Sequence, residues 1–116
     1  VLVDGNVSRP DLSDYGAGGF PDLKVDPRTG DPALVYFTER WVSGKTQGCL
    51  RCARCTSPDC ATFDAFDVVC GMPGSGRDAS MLFTPDGHAL ISFLDLDGKD
   101  DPASMLTRIA YVKTNT

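Results

Sequence analysis

Five cysteines occur in this 116-residue chain, and four of them fall between Cys49 and Cys60. Thiols at that density either bridge one another or hold a soft metal ion. Cys55-Thr56-Ser57-Pro58-Asp59-Cys60 sets two thiols at the base of a four-residue reversal, where facing positions of a hairpin come close enough for a disulfide. The rival arrangement takes Cys49-x-x-Cys52-x-x-Cys55 with Cys60 as a metal or iron–sulfur nest. Against it, the step from Cys55 to Cys60 is one residue longer than a bacterial ferredoxin run, and no second cysteine pair follows at zinc-ribbon distance. Positions 49 and 52 also point to opposite faces of an extended strand. The disulfide is the expectation. Because five is odd, at least one of Cys49, Cys52 and Cys70 has no partner in the chain and is either buried as a small hydrophobe or joined to another chain.

A second group with metal-binding character is Asp95-Leu96-Asp97-Gly98-Lys99-Asp100-Asp101, where carboxylates alternate around a glycine as a hard cation such as calcium requires. Asp95, Asp97 and Asp101 are the candidate calcium ligands. Lys99 stands where a further ligand would help and no bidentate Glu closes the loop, so a solvated acidic loop is the simpler expectation. Calcium is the one cofactor the sequence suggests. His88, the single histidine, shares no local motif with a nucleophile and reads as an exposed turn residue. No catalytic residue is assigned. Gly71-Met72-Pro73-Gly74-Ser75-Gly76 lacks the Lys and the following helix of a phosphate loop and reads as a connector. Asn6-Val7-Ser8 fits a glycosylation sequon, which matters only in a eukaryotic secretory pathway.

The elements that must position these groups are strands. Asp22-Leu23-Lys24-Val25-Asp26 alternates with period two, Pro27-Arg28-Thr29-Gly30-Asp31-Pro32 supplies turn chemistry, and residues 33–38 are apolar at odd and even positions alike. That is a hairpin. Residues 43–48 form a polar break, after which residues 49–55 and 60–70 complete a four-stranded meander. Residues 1–20 read as a strand end followed by a long loop. Beyond the connector the same grammar returns, with strands expected over 78–84, 88–94 and 105–113, a turn at Pro85-Asp86-Gly87 and a loop over 95–103. Residues 33–37 and 89–93 are expected to be inner strands covered on both faces. No helical period of useful length appears.

The two stretches align. Pro27 matches Pro85, and Gly30 matches Gly87 at a separation of 57 residues, a spacing characteristic of propeller blades. Residues 21–70 then form one four-stranded blade and residues 71–116 a second with three strands, its fourth supplied by residues 1–5. The text Phe20-Pro21-Asp22-Leu23-Lys24-Val25-Asp26, then Gly30-Asp31-Pro32-Ala33-Leu34-Val35-Tyr36-Phe37, then Leu50-Arg51-Cys52-Ala53-Arg54-Cys55 with Cys60, resembles repeats of bacterial extracellular, sialidase-like β-propellers. Those carry P-S-L-x-x-D-x-x-G-x-P-x-x-x-Y followed by L-x-x-A-x-C and a nearby second cysteine. The second unit departs from that pattern at Ala79, Thr84 and Ala89, and the sialidase Asp-box and arginine cluster are not visible. The resemblance implies an all-β fold of two four-stranded antiparallel blades of a β-propeller, completed by oligomerisation or by a longer parent chain. The apolar faces of Leu34, Tyr36, Leu90 and Phe93 would otherwise stay open to water.

Net charge of −5 argues against nucleic acid, whose phosphates demand clustered Lys and Arg. No run of apolar residues is long enough for a spanning helix. The cysteine count points to an oxidising compartment, hence to a secreted, periplasmic or cell-surface protein. The expected function is a lectin-like extracellular binding or scaffold module contacting a glycan or protein through its loops. The alternatives are a fragment of a larger propeller enzyme such as a glycosidase, and a metal or redox protein built on the cysteine cluster.

Overall fold

A computed structural model of the chain describes residues 7–8, 14–71, 74–96 and 105–113. They form two antiparallel sheets. The first is a meander of β2 (Asp14–Val25), β3 (Pro32–Val42), β4 (Lys45–Cys55) and β5 (Phe63–Gly71), with the two-residue β1 (Val7–Ser8) on the free edge of β2. The second, β6 (Arg77–Phe83), β7 (Ala89–Leu96) and β8 (Met105–Val112), is a three-stranded meander. The all-β class, the four-plus-three strand count and the meander order match the sequence expectation. The described residues close no ring. The fourth strand expected from residues 1–5 lies outside the described residues.

Local chemistry accounts for the turns and for three departures from expectation. Asp26 opens the β2–β3 turn: its carboxylate accepts the Arg28 amide at 2.8 Å, and the Gly30 amide, at φ 78°, donates back to its carbonyl. Ser43 and Gly44 both take positive φ, 51° and 79°, which is the two-residue turn that suits the right-handed twist of paired strands. The expected polar break over 43–48 is therefore two residues long, and Lys45 to Gly48 pair with β3. The reversal after β4 is longer than expected. Cys55 pairs with Phe63, and seven residues make the loop, closed by the Thr56 amide on the Thr62 carbonyl. Residues 14–20, expected as loop, extend β2: Asp14 and Tyr15 pair with β1, and Gly16, Ala17 and Gly19 pair with β3 through two register shifts that absorb their glycine-rich text.

The sheets pack face to face. Ala33, Val35, Leu50 and Cys52 of the first meet Ala79, Met81, Ala89, Ile91 and Phe93 of the second in one buried cluster. The sheets come closest along β2 and β6. β3 and β7 are the central strands of their sheets, but the cover expected on both faces of 33–37 and 89–93 is met in part: Val35 and Tyr36 are buried on opposite faces of β3, whereas Leu90 and Ser92 on the outer face of β7 are only half-buried. One expectation is corrected: Tyr36 and Phe93 are buried, and Leu34 and Leu90 are half-buried. Phe93 lies in the interface between the sheets. Among the described residues, the large apolar side chains open to water are Leu23, Val25, Leu82, Ile109 and Tyr111, with Val42 and Leu106 at strand ends.

The connector between the sheets is pinned by glycine. Gly76 has φ 96°, donates its amide to the Leu94 carbonyl at 2.7 Å, and lies so close to β4 that a Cβ would stand 2.7 Å from the Leu50 nitrogen. Gly30 also has positive φ, yet a Cβ there meets nothing within 4 Å. Gly30→Ala should therefore cost only about 1 kcal/mol, the penalty of the backbone conformation. Gly76→Ala must in addition push β4 away and should cost about 3 kcal/mol or more, measured by chemical denaturation. Equal losses for the two variants would show that the close approach to β4 is not real.

Candidate functional site

All the turns built on Asp26 and Gly87 lie at one end of the strands, together with the ends of β4 and β8 and the start of β5. There a groove of about 610 Å³ runs between the sheets. Its floor is a buried ion pair. Asp26, 3% exposed, accepts from the Arg54 guanidinium at 2.7 Å, and the same Arg54 nitrogen reaches the Gly87 carbonyl at 3.4 Å. The guanidinium carbon stands 5.3 Å from the centre of the Phe83 ring. Arg28, Asp31, Asp64 and Lys113 line the walls, so the groove offers donors and acceptors of both charges above a partly apolar base that includes Phe66. Such a lining suits a polar, hydroxyl-rich ligand or a charged protein loop.

The outer face of the first sheet carries a second polar group. Asp67 of β5 accepts from both terminal nitrogens of Arg40, at 2.9 and 3.0 Å, and from Arg51 at 2.6 Å, while the Arg51 Nε donates to the Tyr36 hydroxyl at 3.2 Å. Partial burial alone would raise the Asp67 carboxyl, but the two arginines overcome it and hold the group below the usual carboxylate range. The Arg51 guanidinium is likewise desolvated, and Tyr36 and Asp67 more than compensate, raising its affinity for its proton.

The cysteines resolve into two disulfides and one thiol. Cys55–Cys60 is bridged as expected, and Cys49–Cys70 joins directly opposed residues of β4 and β5 at a Cα separation of 4.1 Å. Cys52 is free and buried, and loss of hydration pushes its thiol up to about 11. The iron–sulfur or zinc nest is thereby corrected: of its four sulfurs, three are committed to disulfides, and Cys52 faces the second sheet among apolar neighbours. The carboxylate of Asp67 lies within 4.8 Å of the Cys49 and Cys70 sulfurs, but oxidised sulfur is no thiolate ligand and Asp67 is held by two arginines. The two bridges fit folding in an oxidising, extracytoplasmic compartment.

The remaining sequence candidates are scattered. Asp95 is half-buried and accepts from Arg108 Nε at 2.7 Å, at the end of the strands opposite the groove, whereas Asp97 and Asp101 lie outside the described residues. His88 is half-buried, with its ring centre 5.4 Å from that of Tyr111, and so is not the exposed turn residue expected. Sequence reading missed the Asp26–Arg54 pair and the Asp67 cluster. Their signal is charge at cross-strand register, which needs the strand pairing to be known. Comparison with protein-family models, curated proteins and solved structures finds no match for this chain.

Because the Asp67 carboxyl is held low when folded, its stabilisation is complete above the unfolded value near 3.9 and is lost as pH falls through the folded value. Solvent screening limits it, since the Asp67 side chain is 37% exposed. Asp67→Asn should cost about 1 kcal/mol at pH 7 and flatten the decline in stability that sets in as pH falls below about 4 in denaturant titrations. An acid branch as steep as that of the unsubstituted chain would contradict this assignment.

Proposed function

We propose that the two sheets are neighbouring blades of an extracellular β-propeller and that the unit is a binding or scaffold module whose loops contact a glycan or a protein. The observation that carries this reading is the sense in which the sheets stack. At the 57-residue spacing, Ala33 and Val35 correspond to Leu90 and Ser92, while Leu34 and Tyr36 correspond to Ile91 and Phe93. Ala33 and Val35 face the second sheet, whereas it is Ile91 and Phe93 that face the first. Unlike faces therefore meet. A twofold sandwich would bring like faces together, but successive blades repeat one orientation, each front against the next back. The closer approach along β2 and β6 is the wedge that radial stacking needs, and the two disulfides fit an extracellular module.

The groove is the binding surface in this reading. Arg28, Lys113, Asp31 and Asp64 present charges and hydrogen-bonding groups at the mouth, and the Asp26–Arg54 pair keeps the floor in shape. One observation favours the second reading, a segment of a propeller glycosidase: Asp31 and Asp64 both line the groove, and glycoside hydrolysis uses a pair of carboxyl groups.

Retention of the chain on immobilised polysaccharides and on cell-surface proteins, compared with the Arg28→Ala/Lys113→Ala variant, separates the two. The module reading expects retention without release of reducing sugar and at least a tenfold loss of affinity in the variant. Release of reducing sugar that Asp31→Asn or Asp64→Asn abolishes would transfer the chain to the enzyme reading. No retention on any glycan or protein would refute both.

A further inference from the structure

Five of the seven large apolar residues exposed among the described residues fall on the two outer sheet faces. Leu23 and Val25 are 59% and 54% exposed on the outer face of the first sheet. Leu82, Ile109 and Tyr111 are 53%, 73% and 55% exposed on that of the second. Paired registers extend the repeat to the remaining strands. Leu23 and Val25 take the places of Met81 and Phe83, and Cys52 and Arg54 take those of Ile109 and Tyr111. Every one of these counterparts is engaged. Met81 is 3% exposed and Phe83 packs on the shared core, Cys52 is wholly buried between the sheets, and Arg54 spans them to Gly87. The exposed residues are thus the two unmatched halves of the interface that the chain already makes once with itself.

The match extends to the polar contact at the closest approach. Asp22 of β2 accepts the Met81 amide of β6 at 2.8 Å, covering a backbone donor on a sheet edge. At the second sheet the place of Asp22 is taken by Ser80, exposed and on the outer face beside Ser92, and the place of Met81 by Leu23. A serine hydroxyl serves as acceptor for an amide as a carboxylate does, without the charge. Lys24, which pairs with Asp22 at 3.0 Å, is replaced by Leu82, so salt-bridge chemistry gives way to apolar contact at the equivalent site.

We propose that the outer face of β6–β8 is a docking surface for a second copy of this chain, taking the outer face of its β2–β5 sheet in the same head-to-tail sense in which the two sheets of one copy stack. Ile109 and Tyr111 pack on Leu23 and Val25 of the next copy, with the Ser80 hydroxyl accepting the amide at its Leu23. The interface is heterologous, so each copy uses one face to receive and the other to insert, and assembly proceeds until a ring closes. The inference rests on the blade reading, and a second copy is the occupant chosen because its exposed face is the repeat equivalent of the face already seated.

Sedimentation of the full 116-residue chain and of two variants tests it. Ile109→Asp spoils the receiving face and Leu23→Asp the inserting one, and both positions are exposed, so circular dichroism and cooperative unfolding should be unchanged. If either fails to fold, Tyr111→Lys and Val25→Lys take their places. Expected are an unsubstituted assembly larger than a dimer, a monomer for each variant alone with association weakened at least 100-fold, and a one-to-one dimer when the two variants are mixed. The mixed dimer is the signature, because each variant keeps the one face that the other lacks. A folded unsubstituted monomer at all concentrations would overturn the inference and leave the blade reading standing, since neighbouring blades then come from one polypeptide. A twofold dimer whose variants fail to complement each other would overturn both.

Discussion

Asp26 loses nearly all of its water at the turn between β2 and β3, and an uncompensated carboxylate in that position would cost several kcal/mol. Arg54 compensates it from β4, two strands away in the same sheet, and the same guanidinium reaches the Gly87 carbonyl and lies over Phe83 in the other sheet. With Arg28 also 3.9 Å from the same carboxylate, the Asp26–Arg54 pair therefore links three parts of the fold: the β2–β3 turn, β4 beneath it, and the β6–β7 turn across the groove. Gly87 suits this position for the same reason: its φ is 83°, and a Cβ would stand 3.1 Å from the Asp26 carboxylate.

From that anchored end the sheets lean together along β2 and β6 and enclose the cluster around Val35, Leu50 and Ile91. The disulfides reinforce the first sheet. Cys49–Cys70 ties β4 to β5 across a closed loop worth about 3 kcal/mol on chain-entropy arguments, and Cys55–Cys60 stiffens the reversal between them by about 2. Covalent and ionic restraint together hold a small core whose two outer faces still carry exposed apolar residues.

Much of the fold was legible because it rests on short-range signals. Apolar runs, the Pro-Gly turns and the 57-residue spacing located β3, β4, β6, β7 and β8 to within a few residues. What misled was register. A four-residue reversal at Cys55 and Cys60 would set Cys49 opposite Phe66, whereas the seven-residue loop and a bulge between Leu50 and Arg51 set it opposite Cys70. The second disulfide was hidden by those extra residues. The site was less legible still, since Asp26 with Arg54, and Asp67 with Arg40 and Arg51, are joined across 28, 27 and 16 residues of sequence by strand pairing alone. Tyr36 reads as an apolar surface residue until the structure shows its hydroxyl held by Arg51.

Unlike faces of the two sheets meet along β2 and β6, and the Met81 amide reports on that contact directly. Met81 lies on the strand at the edge of its sheet, so its amide should exchange with solvent quickly unless Asp22 caps it. Partial burial would raise the Asp22 carboxyl, but the Met81 amide and Lys24 outweigh it and lower the value. Nuclear magnetic resonance of the uniformly labelled chain should therefore find the Met81 amide protected from exchange, its shift titrating with a midpoint below the ordinary aspartate value of about 3.9, and the protection lost in Asp22→Ala. A Met81 amide that exchanges like any free sheet edge and ignores the ionisation of Asp22 would contradict the stacking from which the functional reading is drawn.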